Sequence, residues 1–243
     1  MREVSKNELK LIKSLKLKKF RTRENLFLIE GIKNVNEVIS SDFEIVMICA
    51  TLSAAEFISS DVSIISDKKL NEVSTLSTNQ DCIAVAKIKQ YGTHEIDFQK
   101  PVIALDGVGD PGNVGTIVRA LDWFGYSHVL CSHDCADFYN PKTIASSMGS
   151  FTRIKPVYTD LVSYLTSFTG RVMAMDLEGE PLSQEKSRDQ TIYVMGSESH
   201  GLSAELKKTI DRNITIQGSG GAESLNVAMA TSMLLYQLSL SQG

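Results

Sequence analysis

Three glycine-rich segments in the second half of the 243-residue chain carry polar side chains next to predicted helix starts. Glycine lets a backbone approach a bound molecule closely, and the first turn of a helix has N–H groups without partners inside the helix. A turn that combines these two features is suited to holding a polar ligand. The sequence therefore predicts a ligand site built from the segments 106–119, 195–202 and 218–227.

The first of these segments resembles a dinucleotide-binding loop. Gly107, Gly109 and Gly112 match the pattern G-x-G-x-x-G between a predicted strand and a predicted helix. Two neighbouring residues argue against this interpretation. The carboxylate of Asp110 would repel a pyrophosphate, and Pro111 removes an N–H group from the loop that would wrap it.

The same segment also matches N-x-G-x-x-x-R, formed by Asn113, Gly115 and Arg119. A helix that begins near Val114 places Arg119 beside its apolar face. A single arginine on a helix is more often a surface charge, but the preceding Asn and Gly favour a functional role. Both interpretations of the segment stay open on this pattern alone.

Strands and helices alternate in the second half of the chain, which predicts a mostly parallel sheet with helices on both faces. Predicted strands include His128–Cys131 and Arg171–Met175, and predicted helices include Leu161–Ser167 and Ala204–Ile210. In the first half, an amphipathic helix is predicted over Lys6–Phe20. A polar stretch at 90–100, which precedes Pro101, predicts a linker between a small α/β domain at 1–95 and a larger domain at 100–243.

The net charge is −4, and the charged residues are unevenly distributed along the chain. Residues 1–33 contain ten Lys or Arg and four Asp or Glu, a net charge of +6, so the remainder carries −10. This asymmetry predicts a contact with a phosphate backbone at the N-terminal end. A solvated face of a lysine-rich helix is the equally weighted alternative.

Composition excludes other classes of protein. The four cysteines are too few for a disulfide scaffold. Cys131, His133 and Cys135 are close in sequence, but C-x-H-x-C is not a common zinc pattern, so no metal site is expected. The charged N-terminus is unlike a signal peptide, and no apolar run is long enough to span a membrane. We therefore expect a cytoplasmic protein.

The last predicted helix, Leu225–Leu240, has almost no polar face. A helix that is apolar on all sides is buried on all sides. At the end of this chain, such burial predicts packing against its own sheet and against a second subunit. The sequence thus predicts a homodimer.

The combination of these glycine-rich segments resembles the motifs of the SpoU/TrmH family of the SPOUT methyltransferases. Residues 113–119, 195–202 and 216–228 are similar to the three family motifs, in family order, and Asn140–Lys142 followed by Ser147–Gly149 is similar to a further family segment. Residues 23–31 look like the start of the L30e-like substrate-binding domain of the family. Gln217, Ser199 and Ala145 depart from common family residues, and Ala145 puts one RNA contact in doubt.

The resemblance implies a fold and an activity. The fold is α/β, with a C-terminal SPOUT domain that has a parallel sheet and a trefoil knot, preceded by a small L30e-like α/β domain. The activity is S-adenosylmethionine-dependent 2′-O-methylation of RNA ribose, most readily of ribosomal RNA, by a homodimer. A tRNA substrate is the alternative, followed by an RNA-binding protein without catalysis or a nicotinamide-dependent enzyme.

The resemblance also implies roles for individual residues. Arg119 is the central catalytic residue, expected to hold the ribose and stabilise developing negative charge, although action as a base is the alternative. The other residues implied in catalysis are Asn113, Glu198, Ser224 and Asn226. The residues implied in cofactor binding are Met195, Gly196, Ile216, Gly218 and Leu225.

Overall fold

The computed structural model describes residues 2–76, 81–197 and 200–240. The chain forms two compact units, Met1–Lys89 with Asp137–Thr152 and Gln90–Ala136 with Arg153–Gly243. In chain order the elements are α1 (Lys6–Ser14), α2 (Lys18–Glu24), β1 (Leu26–Glu30), α3 (Ile32–Ile39), β2 (Ile45–Ala50), β3 (Ser63–Ile64), α4 (Asp67–Val73), β4 (Cys82–Lys87), β5 (Val102–Asp106), α5 (Pro111–Trp123), β6 (His128–Cys131), α6 (Pro141–Ser147), β7 (Lys155–Tyr158), α7 (Leu161–Ser167), β8 (Arg171–Pro181), β9 (Thr191–Gly196), β10 (Arg212–Thr215) and α8 (Val227–Ser239).

The first unit is built on a four-stranded sheet with the order β1-β4-β2-β3. Strand β4 runs antiparallel to β1 and β2, and β3 runs parallel to β2. Alternate residues of a strand face opposite sides of its sheet. On one side Leu28 and Ile83 share a core cluster with Ile12 of α1 and Leu70 of α4.

The other side of this sheet carries an aromatic cluster formed by two distant parts of the sequence. The ring of Phe27 in β1 lies 4.6 Å from that of Tyr139 and 6.0 Å from that of Phe151, between centroids. Phe43 also lies 6.0 Å from Phe151. The segment Asp137–Thr152 therefore completes the core of the first unit, although it follows β6 of the second.

The predicted single helix Lys6–Phe20 is wrong, because the chain forms two helices there, α1 and α2. Arg21 of α2 is 2% exposed and donates from Nη1 to the carbonyl oxygens of Leu15 (3.0 Å) and Lys16 (2.9 Å). Its Nε donates to Asp137 at 3.0 Å. A guanidinium thus satisfies carbonyl groups that a continued helix would have bonded internally.

The second unit contains a six-stranded sheet with the order β10-β8-β9-β5-β6-β7, and every pair in it is parallel. The predicted parallel sheet is confirmed, and β6 and α7 have the predicted bounds. Side chains from β5, β9 and α7 form one core cluster, which includes Val102, Ile192 and Leu161. The predicted helix Ala204–Ile210 is wrong: only one turn of 3-10 helix forms there, at Leu206–Thr209.

Strand β8 is longer than the predicted Arg171–Met175, because it continues to Pro181. Asn213 of β10 pairs with Ala174, but the next residue, Ile214, pairs with Glu180. At this register shift a Cβ atom on Gly179 would lie 2.6 Å from the carbonyl carbon of Asn213. Glycine therefore permits the close passage of the two backbones.

The last helix, α8, packs against α5 and β9. Its inner face is fully buried, with Leu234, Leu235 and Leu238 at 0% exposure. None of the described helices is long and apolar enough to cross a membrane. The trefoil knot implied by the resemblance stays a prediction.

Candidate active site

Two of the three glycine-rich segments follow adjacent strands of the parallel sheet. Asp106, the last residue of β5, pairs with Gly196, the last residue of β9. The carboxylate of Asp106 accepts a hydrogen bond from the backbone N–H of Ser203 at 2.9 Å. Ser197 and Gly201 exchange two backbone hydrogen bonds, which fold the segment after β9 back on itself. Carboxyl ends of parallel strands are the usual ligand-binding edge of such sheets.

Gly196 is closely covered by this folded turn. A Cβ atom at this position would lie 2.5 Å from the carbonyl carbon of Gly201 and 2.8 Å from the backbone nitrogen of Leu202. Only glycine avoids that overlap. The preceding residue, Met195, is 2% exposed and belongs to the buried sheet.

Helix α5 begins at the N-x-G-x-x-x-R pattern. The side chain of Asp110 accepts a hydrogen bond from the backbone N–H of Asn113 at 3.0 Å, and Pro111 occupies the first turn. Aspartate is a good N-cap residue, and proline is favoured at the first helical position. The two residues that argued against a dinucleotide site therefore have a structural role as a helix start.

The N-termini of α5 and α8 are joined by their side chains. Asn226 caps α8 by accepting hydrogen bonds from the backbone N–H groups of Ala228 (2.9 Å) and Met229 (3.3 Å). Its Nδ2 donates to Oδ1 of Asn113 at 3.0 Å. The first and third glycine-rich segments, far apart in sequence, thus meet at two adjacent helix starts.

A groove of about 710 Å³ opens beside this pair. Among the residues expected to be functional, Asn113, Ile216 and Asn226 line it. Its walls also include Thr116 of α5 and Met233 of α8. The result is a mostly apolar recess with amide groups at one end, which is the usual character of a small-molecule site.

Arg119 lies on α5 one turn after Thr116, and its side chain is exposed. It forms no hydrogen bond or ion pair with any residue of the described ranges. An exposed guanidinium next to the groove is therefore available to a bound anionic group.

The remaining expected residues are not assembled with this pair. Gly218, Ser224 and Leu225 lie in the exposed stretch between β10 and α8, and none of them lines the groove. Met195 and Gly196 end β9 and also do not line it. Glu198 lies outside the described residues, so the structure says nothing of its side chain.

Sequence patterns did not reveal one wall of the groove. This wall is Pro181–Ser183, the last residue of β8 and the two that follow it, which lies beyond the predicted end of that strand. Gln237 of α8 fastens it by donating to the carbonyl oxygens of Ser183 (3.3 Å) and Glu185 (3.2 Å). No glycine-rich or charged pattern marks these residues, so only the extended register of β8 brings them here.

The cysteines near β6 have structural contacts. Cys135 donates from Sγ to the carbonyl oxygen of Leu105 at 3.1 Å. A hydrogen bond with Cys131 lowers the pKa of the Cys135 thiol to about 7 and raises that of Cys131. His133 is exposed. Within the described ranges, no group of three His, Cys, Asp or Glu side chains is suited to holding a metal ion.

Two family models match the chain. Residues 100–236 match the SpoU rRNA Methylase family, and residues 6–84 match the MRM3-like substrate binding domain. The chain is 32% identical over 247 residues to the 23S rRNA (guanosine(2553)-2′-O)-methyltransferase RlmP of Bacillus subtilis strain 168, covering 97% of this chain and 98% of that protein.

Solved structures have the same architecture. A TrmH-family protein from Porphyromonas gingivalis is 33% identical, has a TM-score of 0.85 and covers 96% of this chain and 97% of its own. An AdoMet-bound rRNA methyltransferase from Sinorhizobium meliloti is 24% identical, with a TM-score of 0.86 and coverage of 98% and 95%. Because only 24% of the residues are identical, the similarity to the Sinorhizobium meliloti structure concerns the fold alone.

Proposed function

This chain belongs to the SpoU rRNA methylase family, and from that premise we propose that it transfers a methyl group from S-adenosylmethionine to the 2′-hydroxyl of a ribose in ribosomal RNA. A ribosomal substrate is favoured over tRNA because RlmP of Bacillus subtilis, similar over almost its whole length, carries a name that specifies 23S rRNA. Such a substrate also accords with the cytoplasmic location expected from the sequence.

The groove has dimensions and chemistry that suit the cofactor. Small-molecule sites usually have volumes of about 300–1,000 Å³, and the groove has about 710 Å³. The residues proposed to hold the cofactor are Met195, Gly196, Ile216, Gly218 and Leu225, largely through backbone groups, and of these Ile216 lines the groove. When bound, S-adenosylmethionine would supply a methyl group activated by its positively charged sulfur.

The protein must hold the ribose hydroxyl in line and manage its proton, which are effects of proximity and of acid–base or electrostatic assistance. We assign the ribose and its neighbouring phosphate to Arg119, because a guanidinium binds phosphate oxygens in pairs and stabilises a developing alkoxide. Glu198, Ser224, Asn226 and Asn113 are assigned to the geometry of the catalytic site.

The observation that carries this proposal is the hydrogen bond between Asn113 and Asn226. It joins the helix that bears Arg119 to the loop that bears most of the proposed cofactor residues. Asp110 already caps α5 and the Oδ1 atom of Asn226 caps α8, so neither cap requires the hydrogen bond between Asn113 and Asn226. A nicotinamide site is disfavoured because Asp110 and Pro111 act as the start of α5.

A homodimer is part of the proposal. The outer face of α8 exposes Met229, Met233, Tyr236 and Leu240, with exposed fractions between 40% and 61%, and the first three also line the groove. Their spacing of four, three and four residues puts them on one side of the helix. A contiguous apolar face of this kind marks an interaction surface, and a two-fold contact would use it twice.

The decisive experiment measures ligand binding and methyl transfer separately. We expect S-adenosylhomocysteine, but not NAD, to raise the melting temperature of the purified protein. Labelled methyl groups should then enter unmodified 23S rRNA at one ribose and should not enter tRNA. Stabilisation by NAD alone, or transfer into tRNA alone, would contradict the proposal.

A further inference from the structure

The last residue of α5 is the only tryptophan in the chain, Trp123. It is 84% exposed, whereas tryptophan is mostly buried in the average folded protein. Its indole ring has no aromatic or cationic partner among the residues that the structure describes. A ring so exposed contributes little to the stability of one subunit, which leaves it available to an external partner.

Trp123 shares one face of α5 with Arg119 and Thr116. The spacing of three and four residues places all three within an arc of about 60° on the helix, and each of them is exposed. Thr116 lines the groove, so the row leads from the groove past the guanidinium to the indole. Arg119 and Trp123 are about 6 Å apart along the helix axis. Helical side chains lean toward the N-terminus, which tilts the indole toward the guanidinium.

The end of α5 that carries Trp123 is held by two cations of the same unit. Arg153 binds the carboxylate of Asp122 with two hydrogen bonds of 2.9 Å, from Nε to Oδ1 and from Nη2 to Oδ2. The Nζ of Lys100 donates to the carbonyl oxygen of Gly125 at 2.9 Å, just beyond the last turn. Asp122 is the only acidic residue of α5, so its ion pair offsets the one charge on this helix that would repel a phosphate.

We propose that Trp123 is a positioning residue for the RNA substrate, and that an unpaired base next to the methylated nucleotide stacks on its indole ring. The inference rests on the proposed function and deepens it, since Arg119 is there assigned to the ribose and its neighbouring phosphate. Aromatic side chains hold unpaired RNA bases by stacking, and every base has a face suited to this contact. The substrate class that fits is therefore a single-stranded loop or bulge of ribosomal RNA, not a continuous duplex.

The face of α5 that carries Trp123 differs from the face proposed for the homodimer. The outer face of α8 exposes methionine, tyrosine and leucine side chains, whereas Trp123 shares its face with a guanidinium and a hydroxyl group. A subunit contact that buried Arg119 would remove its guanidinium from water, which costs free energy unless a counter-charge is supplied. An RNA strand supplies a phosphate to the guanidinium and a base to the indole, so it satisfies both groups at once.

The first test uses the fluorescence of the wild-type protein, which reports on Trp123 alone because the chain has no other tryptophan. Acrylamide should quench this emission strongly in the free protein. An unmodified 23S rRNA transcript should lower the quenching constant by about half or more, because a stacked base covers one face of the ring. Protection that is present without RNA at micromolar concentration, and is lost on dilution, would assign Trp123 to a subunit contact and overturn the inference.

The second test separates stacking from simple apolar contact. Trp123→Leu keeps an apolar side chain without an aromatic face, and Trp123→Phe keeps a smaller aromatic face. The control, Leu177→Ala, shortens a side chain that is 69% exposed in the same unit. Substitutions at such exposed positions have little effect on stability, so the three melting temperatures should match the wild type. The Kd and KM for the transcript, the kcat and the affinity for S-adenosylmethionine are measured for each protein.

Trp123→Leu should raise the Kd and the KM for the transcript by a factor between about 5 and 150, the range for the loss of one stacked base. The kcat and the affinity for S-adenosylmethionine should not change, because a contact equally strong in the ground and transition states affects KM alone. Trp123→Phe should recover most of the loss, and the control should match the wild type. Equal losses in the leucine and phenylalanine variants would show that no base stacks on the ring and would overturn the inference.

Failure of this inference and failure of the proposed function give different results. In one case the wild type methylates the transcript, but the transcript does not protect Trp123 and Trp123→Leu has the wild-type KM; the inference is then overturned and the proposed function stands. In the other case the transcript protects Trp123 and the leucine variant binds it weakly, but the wild type transfers no methyl group. That result would support base stacking and contradict the proposed function.

Discussion

The side-chain amide of Asn226 donates a hydrogen bond of 3.0 Å to the side-chain oxygen of Asn113. The oxygen of the same Asn226 side chain accepts hydrogen bonds from the backbone N–H groups of Ala228 and Met229, in the first turn of α8. One amide therefore has two functions, a helix cap and a link between α5 and α8. The two functions are separable, because they use different atoms.

Replacing Asn226 by serine should keep the cap and remove the link. Serine is a good N-cap residue, but its hydroxyl is too short to reach Asn113. We expect the free energy of unfolding to change by less than about 0.5 kcal/mol and methyl transfer to fall at least tenfold. Asn226→Ala, which loses both functions, should also lower the free energy of unfolding by about 1 kcal/mol. Full activity in the serine variant would show that the link has no catalytic role.

Arg119→Ala should reduce kcat for methyl transfer by about 100-fold or more, the usual cost of removing a group that stabilises developing charge. Arg119 is exposed and has no partner among the described residues, so the melting temperature should not move. Calorimetry should give an unchanged affinity for S-adenosylmethionine. An equal loss of cofactor affinity and activity would refute the assignment of Arg119 to the ribose.

Gly196→Ala should destabilise the protein and weaken cofactor binding together. The added methyl group would overlap the backbone of Gly201 and Leu202, and overpacking of this kind costs about 1–3 kcal/mol. Gly218→Ala is the matched control for stability, because a Cβ atom there has no neighbour within 4 Å. Urea unfolding compares the two variants. Equal stability would mean that the turn after β9 can move aside.

Leu240→Glu, on the part of this face outside the groove, should convert the proposed dimer into a monomer. Leu240 is 61% exposed, so a charge there is compatible with the fold of one subunit but not with a desolvated contact. Sedimentation at micromolar concentration should distinguish it from Leu52→Glu, a control at a residue that is 69% exposed in the other unit. A wild-type protein that is monomeric and active at the same concentration would refute the dimer.

Asp137→Ala should lower the free energy of unfolding by about 3–5 kcal/mol, because it leaves a buried guanidinium without its counter-charge. Arg21 is 2% exposed and Asp137 is 18% exposed in their ion pair. The double variant Arg21→Met with Asp137→Ala should recover much of the lost free energy of unfolding, since it removes the unpaired guanidinium of Arg21. Denaturant unfolding of Asp137→Ala, Arg21→Met and the double variant gives the coupling, and additive losses would argue against a direct pair.

Local patterns predicted short strands and helices better than the turn between α1 and α2, for a physical reason. Strand β6 and helix α7 have the predicted bounds, because short apolar strands and regular helices are defined by local patterns. Arg21 has the appearance of one more surface cation in a basic helix, yet it is buried and ends α1. Its partner Asp137 is more than one hundred residues away, so no local pattern reveals the pair.

The candidate site shows the same contrast. Asn113 and Asn226 were predicted from two separate motifs, and the structure brings them into contact. The wall formed by Pro181–Ser183 was missed because it depends on the register shift between β8 and β10. A register is a relation between two strands, and neither strand specifies it alone.

The aromatic cluster of Phe27, Phe43, Tyr139 and Phe151 has a consequence for synthesis on the ribosome. The last strand of the first sheet, β4, ends at Lys87, but the rings that cover its second face come with Tyr139 and Phe151. At about 5–20 residues per second, several seconds of translation separate the two. During that interval the nascent sheet has two rings, Phe27 and Phe43, without their final neighbours. The core of the first unit can therefore close only after β5, α5 and β6 of the second unit have been made.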